Sequence, residues 1–347
     1  MGGARARLNE FKISIVLPTY NRSAILLQTI DSIRNQSFDN YELLVWDDCS
    51  PDDTRERVLA INDDRIIYHR NEERLGYGRN LQSCSKEASG EIIFLMADDD
   101  LLLRDGLKRT HDGFLRGDHI GAVIRPYYSF WDDPRVPIRA VFPFNSHRDS
   151  EISIFGGKRA VWAIFQSAGQ LSGLAFRSRY MDCSFHSDTY VAQVYPLASI
   201  LRRYKALFLR DFTVATRLPS SMSTQRADIY GISPLESWVR MFNTVYHERE
   251  YEKVRQECID VVIRGNYAGL FQIKTATSSS RLVSREMEIT LRNRPRSALD
   301  AQFYVFSLIA ILLPPRLLRK AVDWYKVNLL SRRVSETCAQ LGLGEFQ

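Results

Sequence analysis

Short apolar segments alternate with segments of helical periodicity through the first hundred residues of this 347-residue chain. Apolar runs that predict buried strands occupy positions 12–17, 41–46, 65–69 and 91–96. Between most of them, as in 24–33, apolar residues recur at helical spacing. Alternation of this kind favours a mostly parallel sheet with helices on both faces, joined by right-handed crossovers. We therefore predict an α/β fold for this part of the chain.

The second half of the sequence is less regular. Its predicted elements are strands at 122–128 and 205–209 and helices at 105–115, 158–165 and 189–203. A segment rich in Pro, Asp and Arg, 131–150, is expected to be a loop that faces the site. From Ser233 onward the pattern is mostly helical. We therefore predict a division into an α/β domain at 1–215 and a helical region at 216–347.

Three adjacent carboxylates, Asp98, Asp99 and Asp100, directly follow the fourth predicted strand. Neighbouring carboxylates repel one another, and each raises the cost of ionising the others. A divalent cation at the end of the strand would relieve that repulsion, because Mg²⁺ and Mn²⁺ take oxygen ligands. A solvated acidic turn is the alternative. In open α/β sheets ligands bind beyond the carboxyl ends of the strands, which is where this run falls.

Charge and cysteine content narrow the class of protein. The net charge of +6 suits a phosphate-bearing partner or an anionic membrane surface. No run of five or more Lys and Arg occurs, so nucleic acid is not a predicted partner. The five cysteines are scattered without metal-ligand or redox spacing, and the N-terminus lacks the apolar stretch of a signal peptide. These features predict a cytoplasmic protein.

Four motifs stand in order at 13–22 (ISIVLPTYNR), 42–54 (ELLVWDDCSPDDT), 71–82 (NEERLGYGRNLQ) and 90–100 (GEIIFLMADDD). Together they resemble the inverting glycosyltransferase family 2, with its GT-A fold, and the resemblance covers roughly 11–210. It implies a metal-dependent transfer of sugar from a nucleoside-diphosphate sugar, most often a UDP-sugar. The acceptor would be a hydroxyl of a saccharide or lipid-linked saccharide, as in O-antigen or capsule assembly.

The resemblance also assigns residues to the donor. Pro18, Thr19 and Tyr20 match the segment that holds the nucleotide, with Tyr20 either stacking on the base or packing within the turn. Asp48 matches the carboxylate that accepts a hydrogen bond from the base, and Asp47 beside it is assigned to orienting the loop. Capping a helix is the alternative role for Asp48.

Arg79 is a candidate for the diphosphate, since guanidinium groups bind phosphate in a bidentate manner, although a solvated helix position would explain it equally. The resemblance gives Asp99 as the Mn²⁺ or Mg²⁺ ligand, with Asp98 toward the sugar or ribose. Because Met96 stands where many members carry the first Asp, the ligand set stays open. A second interpretation has Asp98 and Asp100 facing the same way along an extended chain.

Inversion needs a general base for the acceptor hydroxyl. The family places an Asp or Glu before a helix some distance after the metal motif, and Asp188 fits, with His186 as the alternative. Capping of the predicted helix is the competing role for Asp188. A catalytically inactive nucleotide-sugar-binding scaffold and a GT-A-like nucleotidyltransferase are the alternative functions.

The C-terminal region contains an uncharged apolar stretch at 301–313, which is too short to span a bilayer. After Pro314 and Pro315, basic residues interleave with aliphatic and aromatic ones up to Arg333. A basic helix with an apolar face can lie on an anionic membrane surface. A packed tail or the interface of a homo-oligomer is the alternative.

Overall fold

The central sheet is built from the apolar runs that the sequence predicts as strands. The computed structural model describes residues 11–188, 190–218 and 227–341. The first strands are β1 (Ile13–Thr19), β2 (Tyr41–Asp47), β3 (Ile66–Arg70) and β4 (Ile92–Leu95). β1 pairs in parallel with β2 and β4, and β2 pairs in parallel with β3. β1, β2 and β4 are buried at every position, which explains why their sequences are continuous apolar runs.

Later strands extend this sheet and form a second one. They are β5 (Leu101–Leu102), β6 (Ile120–Ile124), β7 (Tyr127–Phe130), β8 (Pro137–Val141), β9 (Ser150–Ile152), β10 (Ala175–Arg177), β11 (Lys205–Phe208) and β12 (Val214–Arg217). The eight-stranded sheet has the order β3-β2-β1-β4-β10-β6-β11-β9, and the four-stranded sheet has the order β5-β12-β7-β8. In the larger sheet only β10 and β9 run antiparallel to their neighbours, so the predicted mostly parallel sheet is confirmed.

Helices cover both faces of the larger sheet. In chain order they are α1 (Ser23–Arg34), α2 (Thr54–Leu59), α3 (Tyr77–Lys86), α4 (Gly106–Phe114), α5 (Lys158–Ala168) and α6 (Val194–Ile200). Ile15 and Leu17 of β1 pack in one apolar core with α1 and α4, whereas Val16 packs in a second core with α3 and α5. This division follows from the alternation of side chains along a strand.

Three predicted elements differ from the structure. The strand predicted at 122–128 is divided between β6 and β7, which belong to different sheets, because Pro126 between them has no N–H to continue a ladder. The loop predicted at 131–150 contains β8, an edge strand of the small sheet. The helix predicted at 189–203 is shorter in the structure, which has α6 there.

The C-terminal part is helical, as predicted. Its helices are α7 (Pro234–Val245), α8 (Glu252–Gly265), α9 (Gly269–Thr277), α10 (Ser280–Asn293), α11 (Ala301–Leu312), α12 (Pro315–Tyr325) and α13 (Ser331–Gln340), with a π-helical turn at Lys326–Leu330. α7 begins at an N-cap, in which the Ser233 hydroxyl accepts from the N–H of Glu236 and Pro234 occupies the first turn.

The helical part packs back on the strands. The Ser331 hydroxyl of α13 donates to the carbonyl of Pro137 in β8. The last strand, β12, ends at Arg217, so the division predicted at 215 falls inside a strand. Among the helices of the described ranges, none combines the length and apolar character needed to cross a membrane.

Candidate active site

A cleft opens at the carboxyl ends of β1, β2 and β4. Its volume is about 610 Å³. Its walls include residues from all four sequence motifs. Those that were predicted to bind the donor or metal are Pro18, Thr19, Tyr20, Asp48, Asp98, Asp99 and Asp100. Carboxyl ends of adjacent parallel strands meet at one edge of a sheet, which is where open α/β sheets bind ligands. The fold thus brings these predicted residues together.

Asp98 and Asp99 converge on one cation. Arg22 Nη1 lies 3.0 Å from an oxygen of Asp98 and 2.9 Å from an oxygen of Asp99. The second Asp98 oxygen accepts from the Thr19 hydroxyl at 2.8 Å. Burial raises the pKa of Asp98, and the adjacent charge of Asp99 adds to that, while Arg22 opposes it. These two carboxylates therefore need a positive charge between them, and Arg22 supplies it here.

Asp100 lines the cleft but is hydrogen-bonded to other partners than this pair, and its assignment as a metal ligand stays a prediction. One oxygen accepts from Gln170 Nε2 and from the Ser172 hydroxyl, both at 2.6 Å. The other accepts from the backbone N–H of Arg217 at 2.9 Å. The alternative in which Asp98 and Asp100 face the same way fails because residues 98 and 99 form a turn, where the alternation of an extended strand does not apply.

Among the described residues of the cleft, two carboxylates converge closely enough to hold a divalent cation. No cluster of three or more His, Cys, Asp or Glu side chains suited to a metal occurs within the described ranges. The oxygens of Asp98 and Asp99 already meet at one charged nitrogen of Arg22, so a divalent cation held by both would have to displace that group. A cation held by one or two carboxylates completes its shell with water and substrate phosphates. Asp98 and Asp99 fit that arrangement.

Asp47 and Asp48 have different roles. Asp48 lines the cleft, and its carboxylate accepts from the N–H groups of Leu75 and Gly76 at 2.7 and 2.8 Å. It therefore fixes the turn before α3, and its predicted contact with a nucleotide base stays a prediction. Asp47 is buried behind the cleft, where it accepts from the N–H of Ser50 at 2.8 Å and from the Tyr68 hydroxyl at 2.6 Å. This position agrees with orienting the loop.

Arg79 is not among the residues that line the cleft, and its assignment to the diphosphate stays a prediction. The buried face of α3 carries Gly78, Leu81 and Cys84, and Arg79 is exposed beside it. Arg74 lines the cleft instead, with its guanidinium carbon 4.1 Å from the centre of the Tyr20 ring. A cation above the ring is an attractive contact in itself. A base that stacks on Tyr20 would have to share or displace it.

Asp188 is buried beside the cleft rather than on its surface. Its side chain has no exposed area; one oxygen accepts from the Tyr190 N–H at 2.9 Å and the other from Arg240 Nη2 at 2.7 Å. His186 is exposed and stacks on Tyr195, with ring centres 4.4 Å apart. Neither His186 nor Asp188 is part of the cleft wall.

As a general base, Asp188 would have to exchange its contact with Arg240 for one with an acceptor hydroxyl. Tyr190, next to its loop, does line the cleft.

Close packing holds the Asp188 loop against α3. A side chain at Gly78 would come within 2.6 Å of the His186 carbonyl oxygen, so only glycine permits this approach. The Tyr77 hydroxyl lies 3.4 Å from Gln193, and both residues line the cleft.

Sequence reasoning missed several cleft residues: Arg22, Arg139, Gln170 and Arg217. Arg22 is the last residue of the first motif, and its position directly after PTYN could have identified it as a cleft residue. The other three come from later segments with no recognisable pattern. Arg217 donates to the carbonyl of Asp99 at 3.2 Å and to Gln28 at 2.8 Å.

A buried arginine supports the wall that carries Gln170. Arg125 is fully buried and donates to the carbonyls of Ser167 and Gln170 at 2.9 and 3.0 Å, and also to the carbonyl of Ser172. Burial lowers the pKa of Arg125 to about 10, which leaves it charged at neutral pH. Through this segment Arg125 fixes the two side chains that hold Asp100.

Known proteins share both the sequence motifs and the fold. Residues 14–164 match the family described as Glycosyl transferase family 2. The GalNAc(5)-diNAcBac-PP-undecaprenol beta-1,3-glucosyltransferase of Campylobacter jejuni is 41% identical over 110 residues, 30% of this chain and 36% of that protein. The UDP-Glc:alpha-D-GlcNAc-diphosphoundecaprenol beta-1,3-glucosyltransferase WfgD of Escherichia coli is 35% identical over 101 residues, 29% of this chain and 40% of that protein. The chain thus aligns with less than half the length of these curated relatives.

Two solved structures show the same fold over most of the chain. S. aureus TarS 1-349 in complex with UDP-GlcNAc has a TM-score of 0.62 at 17% identity and covers 94% of this chain and 92% of its own. The mannosyltransferase PcManGT from Pyrobaculum calidifontis, in complex with GDP-Man and Mn²⁺, has a TM-score of 0.53 at 16% identity and covers 97% and 86%. Residues 14–164 are thus similar to glycosyltransferase family 2, and most of the chain shares its fold with these two structures.

Proposed function

We propose that this protein is an inverting, metal-dependent glycosyltransferase that moves a sugar from a nucleoside-diphosphate sugar to a hydroxyl of a lipid-linked saccharide. The observation that carries the proposal is the convergence of Asp98 and Asp99 at one point of the cleft, 3.0 and 2.9 Å from a single charged nitrogen. Two carboxylates and a diphosphate are the ligands that Mn²⁺ and Mg²⁺ take in phosphate-transfer sites.

The charge of the cleft supports an anionic donor. Arg22 neutralises Asp98 and Asp99, whereas Arg74 and Arg139 form no ion pair with any described residue. Both line the cleft, so they present positive charge to whatever enters it. Guanidinium groups bind diphosphate oxygens well. Tyr20, under Arg74, offers an aromatic face to a nucleotide base.

The relatives support the donor and acceptor classes. WfgD is named for UDP-Glc and a diphosphoundecaprenol-linked sugar, and the Campylobacter jejuni enzyme is named for a PP-undecaprenol-linked saccharide. TarS 1-349 was solved with UDP-GlcNAc. A uridine diphosphate sugar and a lipid-linked acceptor are therefore the first substrates to test.

In the proposed reaction, the acceptor oxygen attacks the anomeric carbon while the bond from that carbon to the diphosphate oxygen breaks. The hydroxyl proton passes to a base, and the configuration at the carbon inverts. A divalent cation, when bound, supplies charge stabilisation to the leaving diphosphate. Asp98 and Asp99 would hold the cation, Arg74 and Arg139 would bind phosphate oxygens, and Asp188 is the proposed base. Asp188 would act only after its carboxylate leaves Arg240, which has a half-exposed side chain.

The first test is a thermal-shift panel of UDP, UDP-Glc, UDP-GlcNAc and GDP-Man, with and without Mn²⁺. A ligand that binds only the native state, present at about a hundred times its Kd, stabilises the protein by about 2.7 kcal/mol. We expect a UDP ligand to raise the melting temperature more with Mn²⁺ than without it, and we expect D99A to abolish that difference. D39A is the matched control, because the Asp39 side chain is 90% exposed and pairs only with Arg65.

A transfer assay with a lipid-linked saccharide then separates the alternatives. Donor binding with neither transfer nor donor hydrolysis would indicate a non-catalytic scaffold. Equal shifts with and without metal would refute metal dependence.

A further inference from the structure

The exposed apolar surface of this chain is concentrated in one place. Among the described residues, nineteen large hydrophobic side chains are exposed, and twelve of them lie between Leu299 and Leu329. The other seven are scattered along the chain from Leu59 to Leu291. Single exposed apolar side chains are ordinary, but a contiguous cluster marks an interaction surface.

The cluster begins on α11, a helix that contains no charged residue. Its inner face, Phe303, Ser307 and Ala310, is buried. Its outer face carries exposed side chains one helical turn apart: Tyr304, Val305, Leu308, Ile311 and Leu312. The exposed face continues onto α12 through Leu317 and Trp324. We call these outer faces of α11 and α12 the C-terminal apolar surface.

Cations border this surface. Arg316 and Lys320 are exposed on α12, and neither takes part in an ion pair with any described residue. An apolar face edged by unpaired basic side chains, with Trp and Tyr among them, is complementary to the interface of an anionic bilayer. Pairing of two copies through the same face would bring their basic residues close to one another, which is unfavourable.

We propose that the C-terminal apolar surface binds the interfacial region of an anionic membrane, with the outer face of α11 inserted and Arg316 and Lys320 at the headgroups. The helix lies flat in this arrangement, as an interfacial helix does.

The C-terminal apolar surface lies near the cleft. α9 lies between them, because its Gln272 lines the cleft while its Phe271 packs on Phe306 of α11 with ring centres 4.9 Å apart. Arg319 of α12 donates to the carbonyl of Thr275 in α9. One helix, about 10 Å across, therefore separates the cleft from the bilayer surface. Membrane binding through this surface would bring the cleft to the level of the headgroups, where a lipid-linked saccharide projects. The delivery of such an acceptor rests on the proposed function, whereas the membrane binding does not.

The test is co-sedimentation of the full chain with vesicles of phosphatidylcholine alone and vesicles containing about one-third phosphatidylglycerol. Each basic residue near an anionic surface changes binding by about fivefold. We therefore expect R316E/K320E to bind the anionic vesicles at least tenfold more weakly than the wild type, and we expect the same of L308D/L312D. L59D is the matched control, because Leu59 on α2 is as exposed as Leu308, at 57% against 55%.

Thermal melting and UDP binding of each variant show whether the fold and the cleft are intact. A wild-type chain that does not sediment with anionic vesicles overturns the proposal, as does an L308D/L312D variant that binds them like the wild type. Conversion of a dimer to a monomer by L308D/L312D, with no vesicle binding in the wild type, would instead identify an interface between copies. Failure of the transfer assay with vesicle binding preserved would count against the proposed function alone.

Discussion

Replacing Asp100 with alanine tests whether its carboxylate has a different role from the two that meet at Arg22. Asp100 accepts hydrogen bonds from the Gln170 amide, the Ser172 hydroxyl and the Arg217 N–H, at 2.6, 2.6 and 2.9 Å. At about 1 kcal/mol for each bond lost, D100A should lower the free energy of unfolding by about 3 kcal/mol. D100N keeps an oxygen for the Arg217 N–H but loses the acceptor for Gln170 and Ser172, and should cost about 2 kcal/mol.

Urea denaturation followed by circular dichroism measures this difference, and Mn²⁺ binding followed by electron paramagnetic resonance measures the metal. We expect D100N to bind Mn²⁺ in the presence of UDP as the wild type does. D99A should show the opposite pattern, because Asp99 faces Arg22 and the cleft: a small change in unfolding free energy and loss of UDP-dependent Mn²⁺ binding. A D100A variant within about 0.5 kcal/mol of the wild type that has lost Mn²⁺ binding would refute this division of roles.

Four further substitutions test buried contacts elsewhere in the chain. R125M removes the donor for three buried carbonyls. At about 1 kcal/mol for each bond it should lower the unfolding free energy by about 3 kcal/mol, and it should speed amide exchange at 167–173, measured by mass spectrometry. Burial raises the pKa of Glu286 above its ordinary value, so the native state holds a proton on this carboxyl at a pH where the unfolded state has lost it. The unfolding free energy should therefore fall as pH rises through and above 4.5. E286Q should remove this pH dependence, measured by thermal melts at a series of pH values. D188N should keep UDP binding and lose about 10²- to 10⁴-fold in transfer if Asp188 is the base. R240Q should then keep transfer, whereas equal losses in both variants, with lower melting temperatures, would indicate that the Asp188–Arg240 pair only anchors the loop.

The parallel core of the fold follows directly from the sequence. β1, β2 and β4 are buried on both faces, so each is a continuous apolar run that identifies a strand without any knowledge of its partners. The small sheet could not be predicted in the same way. β5 has only two residues, and its partner β12 lies more than a hundred positions later in the chain, so neither periodicity nor local pairing indicates it.

The acidic run shows where a motif stops being informative. Its place at the end of β4 was predictable, and the predicted cleft residues of β1, β2 and β4 do meet there. The direction in which each carboxylate points could not be predicted, because it depends on the turn at 98 and 99 and on partners as distant as Ser172 and Arg217. The counter-charge of Asp98 and Asp99 likewise comes from Arg22, on a different motif.

Arg79 illustrates the same limit in a helix. Once α3 begins at Tyr77, the period of 3.6 residues puts Gly78, Leu81 and Cys84 on the buried face and Arg79 about 100° away from Gly78, toward solvent. The start of α3 is set by Gly76, whose φ is +83°, and by Asp48, which holds the N–H groups of Leu75 and Gly76. Asp48 is remote in sequence, so a contact between two motifs decides the register of the helix. The same contact decides that Arg74, and not Arg79, lines the cleft. A substitution such as D48A should therefore disturb the position of Arg74 as well as any contact that Asp48 makes with a nucleotide.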